Sequence, residues 1–511
     1  MAGRLAPVPE LSAAGYTAAS PPLSVYRESI RSVAVSGGRI TPSLFSQSGN
    51  GGYGHSGNSG SGASGSGSTS GSSYPSNNSG SSSGSSVAAA ADYGAQELTK
   101  IARRMVSDGY TQRMVSAFEN GGGSDRALEA WFSELDVDWV LQIPGAEGGG
   151  SWRQLRLQDS VKRWIRAFII IVASIKEVAA TAVHDHETTA VALFGKGSIA
   201  KMLVFIDAIA PAAASSKEEN LRAVLDMYIC VSSASDMFSP EAQAKFKGLS
   251  KKIFMDVGGS LPREVKRLNK AVYSTVLEVR AFVEDDESWA VEIPRGRGDV
   301  HRNTWLMVNC IKSMQDKARY HDTQYLRGLI DDSVLHLKEL LLRKSELCSD
   351  QSLRYLFLLN NSYLVAMMVE AWSLLVEPWS KHEWRPAPEC LKYMNRYLDV
   401  SWGHVQSHMP KTAFVHGSGR LQMLFCMLAP LQNWKRTASH AKFESAFHKT
   451  YQAQRFWKVP NPQLRDELRK TITERVVPGY RSYLRKHPEL ERGGSSSPDV
   501  LEEMLGELFE G

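Results

Sequence analysis

From Gln96 to the C-terminus, apolar side chains recur at three- to four-residue spacing. The pattern runs through Leu98, Ile101, Met105 and Val106, and through Trp164, Phe168, Ile171 and Ile175. It continues through Leu221, Val224, Leu225 and Tyr228, and through Leu268, Val272, Val276 and Val279. That is the period of one buried helix face, and no Asn-Gly hairpin between alternating strands competes with it. Helix starts are read at Pro240 after Ser239, at Pro262 and at Asn461-Pro462, where Asn caps and Pro takes the first helical position. Breaks are read at Gly121–Gly123, Gly148–Gly150, Gly258-Gly259, Arg295–Gly298 and Pro386–Pro388. Many ordinary helices with short connections predict an all-α chain of stacked up-and-down bundles. No repeat of fixed period with recurring signature residues supports a tetratricopeptide or ankyrin array.

Before Gln96 the chain is of another kind. Gly and Ser fill 29 of the 40 positions from Gln47 to Ser86. Such a stretch lacks the apolar surface to offset its ordering entropy, so residues 1–92 are expected to be a disordered low-complexity leader. Few apolar heptads precede Gln96, so no coiled-coil helix can be drawn there. The five cysteines, Cys230, Cys310, Cys348, Cys390 and Cys426, form no even disulfide framework and are expected to be free core thiols. Neither Ala167–Ile175 nor Tyr355–Val369 supplies the roughly 20 apolar residues of a membrane span. Both read as buried core helices, and no signal peptide or spanning segment is expected.

No catalytic constellation assembles. Gly195-Lys196-Gly197-Ser198 lacks the leading glycine and the strand of a phosphate-binding loop, and reads as a helix break. His184-Asp185-His186-Glu187 lacks the four-residue His spacing of a zinc helix and reads as a solvated turn between helices. There is no Cys-x-x-Cys pair, and His301, His404, His408 and His416 are scattered. The chain is therefore not expected to be an enzyme or to hold a metal or cofactor.

Charge says more. The chain carries a formal net charge of +5, yet segment 431–492 holds 14 Lys/Arg against six acids, a net +8. The tail 493–511 has five acids and no Lys or Arg. Positive charge gathered at one end suits an anionic partner, although a solvated helix face gives the same count. Pro478-Gly479 is expected to divide this end into two short helices. No recognition helix or RNA-binding signature accompanies the charge, so nucleic acid is not expected.

Four segments carry a resemblance. The run Gln452–Pro478, followed by Gly479–Leu484, is similar to the C-terminal signature of the seventy-kilodalton subunit of the exocyst vesicle-tethering complex, and the terminal LGELFEG resembles that family's ending. Leu221–Tyr228 (LRAVLDMY), Gly298–Ile311 (GDVHRNTWLMVNCI) and Leu353–Val365 (LRYLFLLNNSYLV) resemble further family motifs in the family's order, with the flavour of its plant branch. The resemblance implies an elongated rod of helical bundles, divided here as N-terminal bundles over 93–299 and C-terminal bundles over 300–511. It implies a non-catalytic role in exocytosis, tethering secretory vesicles from the cytoplasm as a peripheral plasma-membrane protein. It also implies other exocyst subunits as partners, with small GTPases or immune proteins beyond them. Contact with anionic phosphoinositides, chiefly phosphatidylinositol bisphosphate, would fall to Arg465, Arg469, Lys470, Arg475, Arg481, Arg485 and Lys486. Where animal and fungal members place key lysines, this chain has Thr473 and Val477. The Gly/Ser leader stands where other members have a long pairing region, so a divergent, N-terminally reduced member is expected. The rival reading is an adaptor independent of the complex, in immunity or autophagy-related trafficking.

Overall fold

The computed structural model describes residues 25–35, 83–119, 124–145, 157–209, 217–239, 244, 246–318, 324–369, 387–408, 422–491 and 496–511. Among these residues there are helices, turns and one isolated bridge, Lys458 to Glu510, with no strand. The chain forms two compact units, residues 1–215 with 223–271 and residues 216–222 with 272–511.

The first unit contains α1 (Val25–Ser32), α2 (Ser83–Ser107), α3 (Tyr110–Glu119), α4 (Ser124–Glu134), a 3-10 turn (Asp138–Gly145), α5 (Leu157–Thr181) and α6 (Asp185–Ile209). It also takes most of α7 (Lys217–Met237) and the first part of α8 (Gly248–Asp285). Every residue from Ala167 to Ile175 is buried, so α5 is apolar on all sides and lies at the centre. Around it Trp131, Phe132, Trp164, Phe168, Phe194 and Phe205 are fully enclosed.

The second unit contains the rest of α8, then α9 (Trp289–Arg295), α10 (Arg302–Ala318), α11 (Gln324–Ser345), α12 (Gln351–Met368), α13 (Pro388–Ser407), α14 (Gln422–Gln454), α15 (Pro462–Lys486), α16 (Pro488–Glu491) and α17 (Pro498–Gly506). The division falls inside α7 and α8, so the expected boundary at 299/300 lies within the second unit. Ala167–Ile175 is buried throughout and Tyr355–Val369 is buried from Leu356 to Val365, as their composition suggests, while Met367 is exposed. Cys230, Cys310, Cys348 and Cys390 are buried free thiols, while Cys426 lies outside the described side chains.

Several local expectations are corrected. Part of the expected disordered leader is ordered: α1 docks on the first unit, and α2 begins at Ser83, ahead of residue 93. Tyr26 and Ile30 of α1 are buried, and the Tyr26 ring lies 5.7 Å from Tyr110. Asp136, with a buried side chain, accepts from Arg27 Nε (3.0 Å) and Arg31 Nε (2.9 Å). Burial pushes the Asp136 carboxyl up, yet the hydrogen bonds from Arg31 and Arg27 hold it below its ordinary value. Glu134 Oε1 accepts from the backbone N–H groups of Tyr26 and Arg27, the free donors at the start of α1.

Gly195–Ser198 does not break a helix; it lies inside α6. A Cβ on Gly195 would stand 3.0 Å from Ile175 Cδ1, so the glycine lets α6 approach α5 closely. Gly258-Gly259 and Pro262 likewise fall inside α8. Buried Val257, Leu261, Leu268 and Val272 hold the helix through them, and a glycine at the position four before Pro262 eases the proline's backbone conflict. His184 sits in the turn and Asp185 opens α6, where Glu187 Oε2 accepts from Val183 and His184 N–H. The helix Asp185–Ile209 is long and apolar enough, by length and composition, to cross a bilayer, although neither apolar stretch weighed above for a span falls in it. More than half of it is buried in the first unit, which is also how a core helix behaves. The features expected at Gly121–Gly123, Gly148–Gly150, Pro240, Pro386 and His416 lie outside the described residues.

Candidate functional site

The basic end is one helix. Asn461 caps α15, its side chain accepting from Leu464 N–H at 3.0 Å, and Pro462 occupies the first turn. Pro478 and Gly479 do not divide it into two short helices. They lie on its exposed side, while Val476, Val477, Tyr480, Tyr483 and Leu484 are buried on either side of the missing bond. Packing of those five side chains outweighs the proline, and the carbonyl of Glu474, in an exposed residue, is left facing water.

The seven candidate bases are distributed around this helix and face different neighbours. Arg469 Nε donates to the Leu508 carbonyl at 2.9 Å, and its Nη2 lies 2.7 Å from Glu510 Oε1. Arg465 lies 3.3 Å from the other Glu510 oxygen. The hydrogen bond from Arg469, with the charges of both arginines, holds the Glu510 carboxyl below its ordinary value. Arg475 meets Asp399 of α13 at 3.0 Å. Arg481 reaches Glu502 at 2.8 Å and Asp499 at 3.2 Å, both on α17. Lys470 is exposed and 3.9 Å from Glu467. Arg485 and Lys486 are exposed near the end of the helix. The helix therefore does not present seven bases as one patch. Arg465, Arg469, Arg475 and Arg481 meet acids from other segments of the chain, Lys470 pairs with Glu467 on its own helix, and Lys470, Arg485 and Lys486 are the exposed members.

Those carboxylates were not singled out from the sequence, although the acidic tail beside a basic segment was the signal for them. Leu501, Leu505, Leu508 and Phe509 are buried, which draws the tail against α15 and brings its acids to the arginines.

A second arrangement joins three of the motif segments. The chain turns at Arg297–Gly298 with φ of 51° and 92°. Asn360 Nδ2 donates to the Gly298 carbonyl (2.6 Å) and the Lys458 carbonyl (2.9 Å), and Lys458 N–H donates to the Arg297 carbonyl (2.8 Å). Asn361 Oδ1 accepts from His301 N–H (3.1 Å) and from the Thr304 hydroxyl (2.7 Å). His301 stacks on Trp289 with ring centroids 3.7 Å apart, and Nδ1 accepts from Asn303 N–H. Burial lowers the His301 imidazole to about 4, so it is neutral near pH 7. Glu292 Oε2 lies 3.0 Å from Nε2 without making a hydrogen bond. Two asparagines in an otherwise apolar helix thus hold the Gly298 turn, the start of α10 and the segment before α15 together. It is a structural clamp, in which Asn360 Oδ1 and His301 Nε2 are buried without a hydrogen-bond partner.

No group of three or more His, Cys, Asp or Glu side chains suited to a metal occurs among the described residues.

Residues 315–507 match the sequence family described as the C-terminal region of the Exo70 exocyst complex subunit. The exocyst complex component EXO70A1 of Arabidopsis thaliana is 25% identical over 444 residues, covering 81% of this chain and 66% of that protein. EXO70E2 of the same plant is 24% identical over 452 residues, covering 80% and 64%. EXO70C1 is 27% identical over 209 residues, covering 39% and 30%. This chain thus spans less than two thirds of the length of these relatives. A solved structure of Exo70 from S. cerevisiae aligns over 85% of this chain and 90% of its own, with a TM-score of 0.42 and 12% identity.

Proposed function

The chain belongs to the Exo70 family of exocyst subunits, in its plant branch, and from that premise we propose that it acts without catalysis as a tethering subunit. In this reading it holds secretory vesicles at the plasma membrane from the cytoplasmic side, together with other exocyst subunits. The observation that carries the proposal is the family match over residues 315–507, which includes α15 and α17.

Membrane contact through α15 belongs to the same proposal. An exposed ion pair is worth about 0–1 kcal/mol, so a phosphoinositide headgroup could displace an acid from Arg465, Arg475 or Arg481 at small cost. Each base near an anionic leaflet contributes about 1 kcal/mol. Three outward bases give about 3 kcal/mol, weaker than millimolar, and all seven give about 7 kcal/mol, still above micromolar. Stable attachment therefore needs the multivalency of a complex. Co-sedimentation with vesicles containing phosphatidylinositol bisphosphate tests this contact. The triple variant K470E/R485E/K486E should lose vesicle binding, and wild-type binding should fall steeply with salt. Retained binding in the triple variant removes the proposed surface. Arg469 is not a suitable test position, because it also fastens the Leu508 carbonyl.

Engagement of Arg465, Arg469, Arg475 and Arg481 by internal acids favours a second reading, an adaptor that binds proteins outside the complex. A pull-down of the native protein separates the two. Recovery of the other exocyst subunits supports tethering; recovery of immune or autophagy proteins without them supports the adaptor.

A further inference from the structure

The helix α1 meets the first unit much as a peptide meets its receptor. Residues 36–82, rich in Gly and Ser, separate it from α2. Its eight residues are too few to sustain a helix alone. The surface it packs on, rather than the chain beside it, therefore orders it.

That surface is built where two helices end. Glu134 is the last residue of α4, and Asp136 follows at a φ of 63°. Asp108 follows Ser107, the last residue of α2. Helix C-termini carry partial negative charge, and these three carboxylates add to it. Glu134 and Asp136 are 3% and 2% exposed. Against them α1 sets its positive N-terminal end: the N–H groups of Tyr26 and Arg27 each donate to Glu134 Oε1 at 3.1 Å. The Tyr26 hydroxyl donates to Asp108 Oδ2 at 2.6 Å. Arg27 and Arg31 share Asp136 with Arg163 of α5, which lies 3.6 Å from it. Arg166 Nε donates to the Val33 carbonyl at 2.8 Å, just past the end of α1. Burial pushes the Glu134 carboxyl up and the two N–H groups of α1 draw it back, so the site without a helix holds a buried acid short of donors.

The occupant shows what the site selects. Tyr26 and Ile30 stand four residues apart and form a buried stripe, and Arg27 and Arg31 form a basic stripe beside it. We propose that this surface is a docking site for a short helix of a partner protein with that pattern, an aromatic residue followed by arginine, then an aliphatic residue and arginine one turn on, and that α1 fills it as a displaceable internal competitor. Tethering places α1 at an effective concentration of at most about a millimolar, so a partner helix displaces it by binding more tightly. A second copy of the chain presents the same α1 at micromolar concentration, below that of the tethered one, and so competes poorly.

Fluorescence anisotropy of a labelled peptide of residues 25–35, titrated with the full chain, tests the site, the peptide standing in for the partner helix. In R27E/R31E the internal helix no longer competes, so the peptide should bind at least tenfold more tightly than to the wild type. Adding D136N to R27E/R31E should abolish that binding while amide exchange of α5 stays slow, which separates loss of the site from loss of the fold. A peptide that itself carries R27E/R31E should not bind. Absence of binding to R27E/R31E, or equal binding by the wild type, overturns the proposal. Light scattering over the same concentrations addresses a second copy: a wild-type dimer that R27E/R31E fails to form would put α1 on a neighbouring chain and overturn its role as an internal competitor.

Discussion

The motifs that mark this chain act as single atoms placed where no other residue type works. Gly298 has φ of 92°, and a Cβ there would stand 2.7 Å from Leu356 Cδ2 and 3.3 Å from the Lys458 carbonyl. Gly298→Ala combines left-handed strain with overpacking, and about 2–4 kcal/mol of stability should be lost in chemical denaturation. His301 gives a pH signature. Its folded value of about 4 lies below the ordinary 6.5, so the unfolded chain binds more protons between those values. Its contribution is full above about pH 6.5 and declines as pH falls through 4, at up to roughly 1.4 kcal/mol per pH unit. Melting temperature measured from pH 7 to pH 4 should fall more steeply for the wild type than for His301→Gln. Equal slopes would show that the imidazole is not held neutral by burial. The sequence marked Gly298, His301, Asn360 and Asn361 as motif positions, but it did not say that they touch one another. They are separated by about 60 residues along the chain, and side chains at that separation meet only through packing.

Elements were easier to locate than to terminate. Apolar spacing identified α2, α5, α7 and α8, because a buried face must repeat with the helix period. Glycine and proline misled at Gly195–Ser198, Gly258–Pro262 and Pro478-Gly479. The local cost of each is about 1–3 kcal/mol, and burial of several large side chains on the same helix exceeds it. The helix α1 was missed for a different reason. Eight residues are too short to be stable alone, and its partners Asp136, Glu134 and Tyr110 lie about 80 to 110 positions away. Asp136→Ala should remove the shared anion of Arg27, Arg31 and Arg163 and leave Arg27 with Asp138 at 3.8 Å. Amide hydrogen exchange over residues 25–32 should then accelerate by at least tenfold while α5 stays protected. Unchanged protection of α1 would mean that Tyr26 and Ile30 hold it without the ion pairs.

For the molecule as a whole, the distribution of charge proved less direct than its count. Net charge of +8 over 431–492 and −5 over 493–511 suggested a basic face toward a partner. Folding brings the two segments together, so much of the opposition is satisfied internally. Phe509 anchors this closure at a φ of 70°, fully buried, with its carbonyl accepting from Val459 N–H. Phe509→Ala should cost about 3–5 kcal/mol and loosen the tail. The contacts of Glu510 with Arg465 and Arg469 should then weaken, so limited proteolysis near residue 496 should speed up in the variant. An unchanged digestion pattern would show that Leu501, Leu505 and Leu508 suffice to hold the tail.

The sequence by itself determined the all-helical class, the resemblance to a family and the places where buried faces repeat, because periodicity, capping residues and motifs are local properties of the chain. Only the tertiary structure decided which charges remain available to a partner. A carboxylate distant in sequence, brought within 3 Å of a guanidinium by apolar burial around it, removes that base from the surface as no local pattern can reveal.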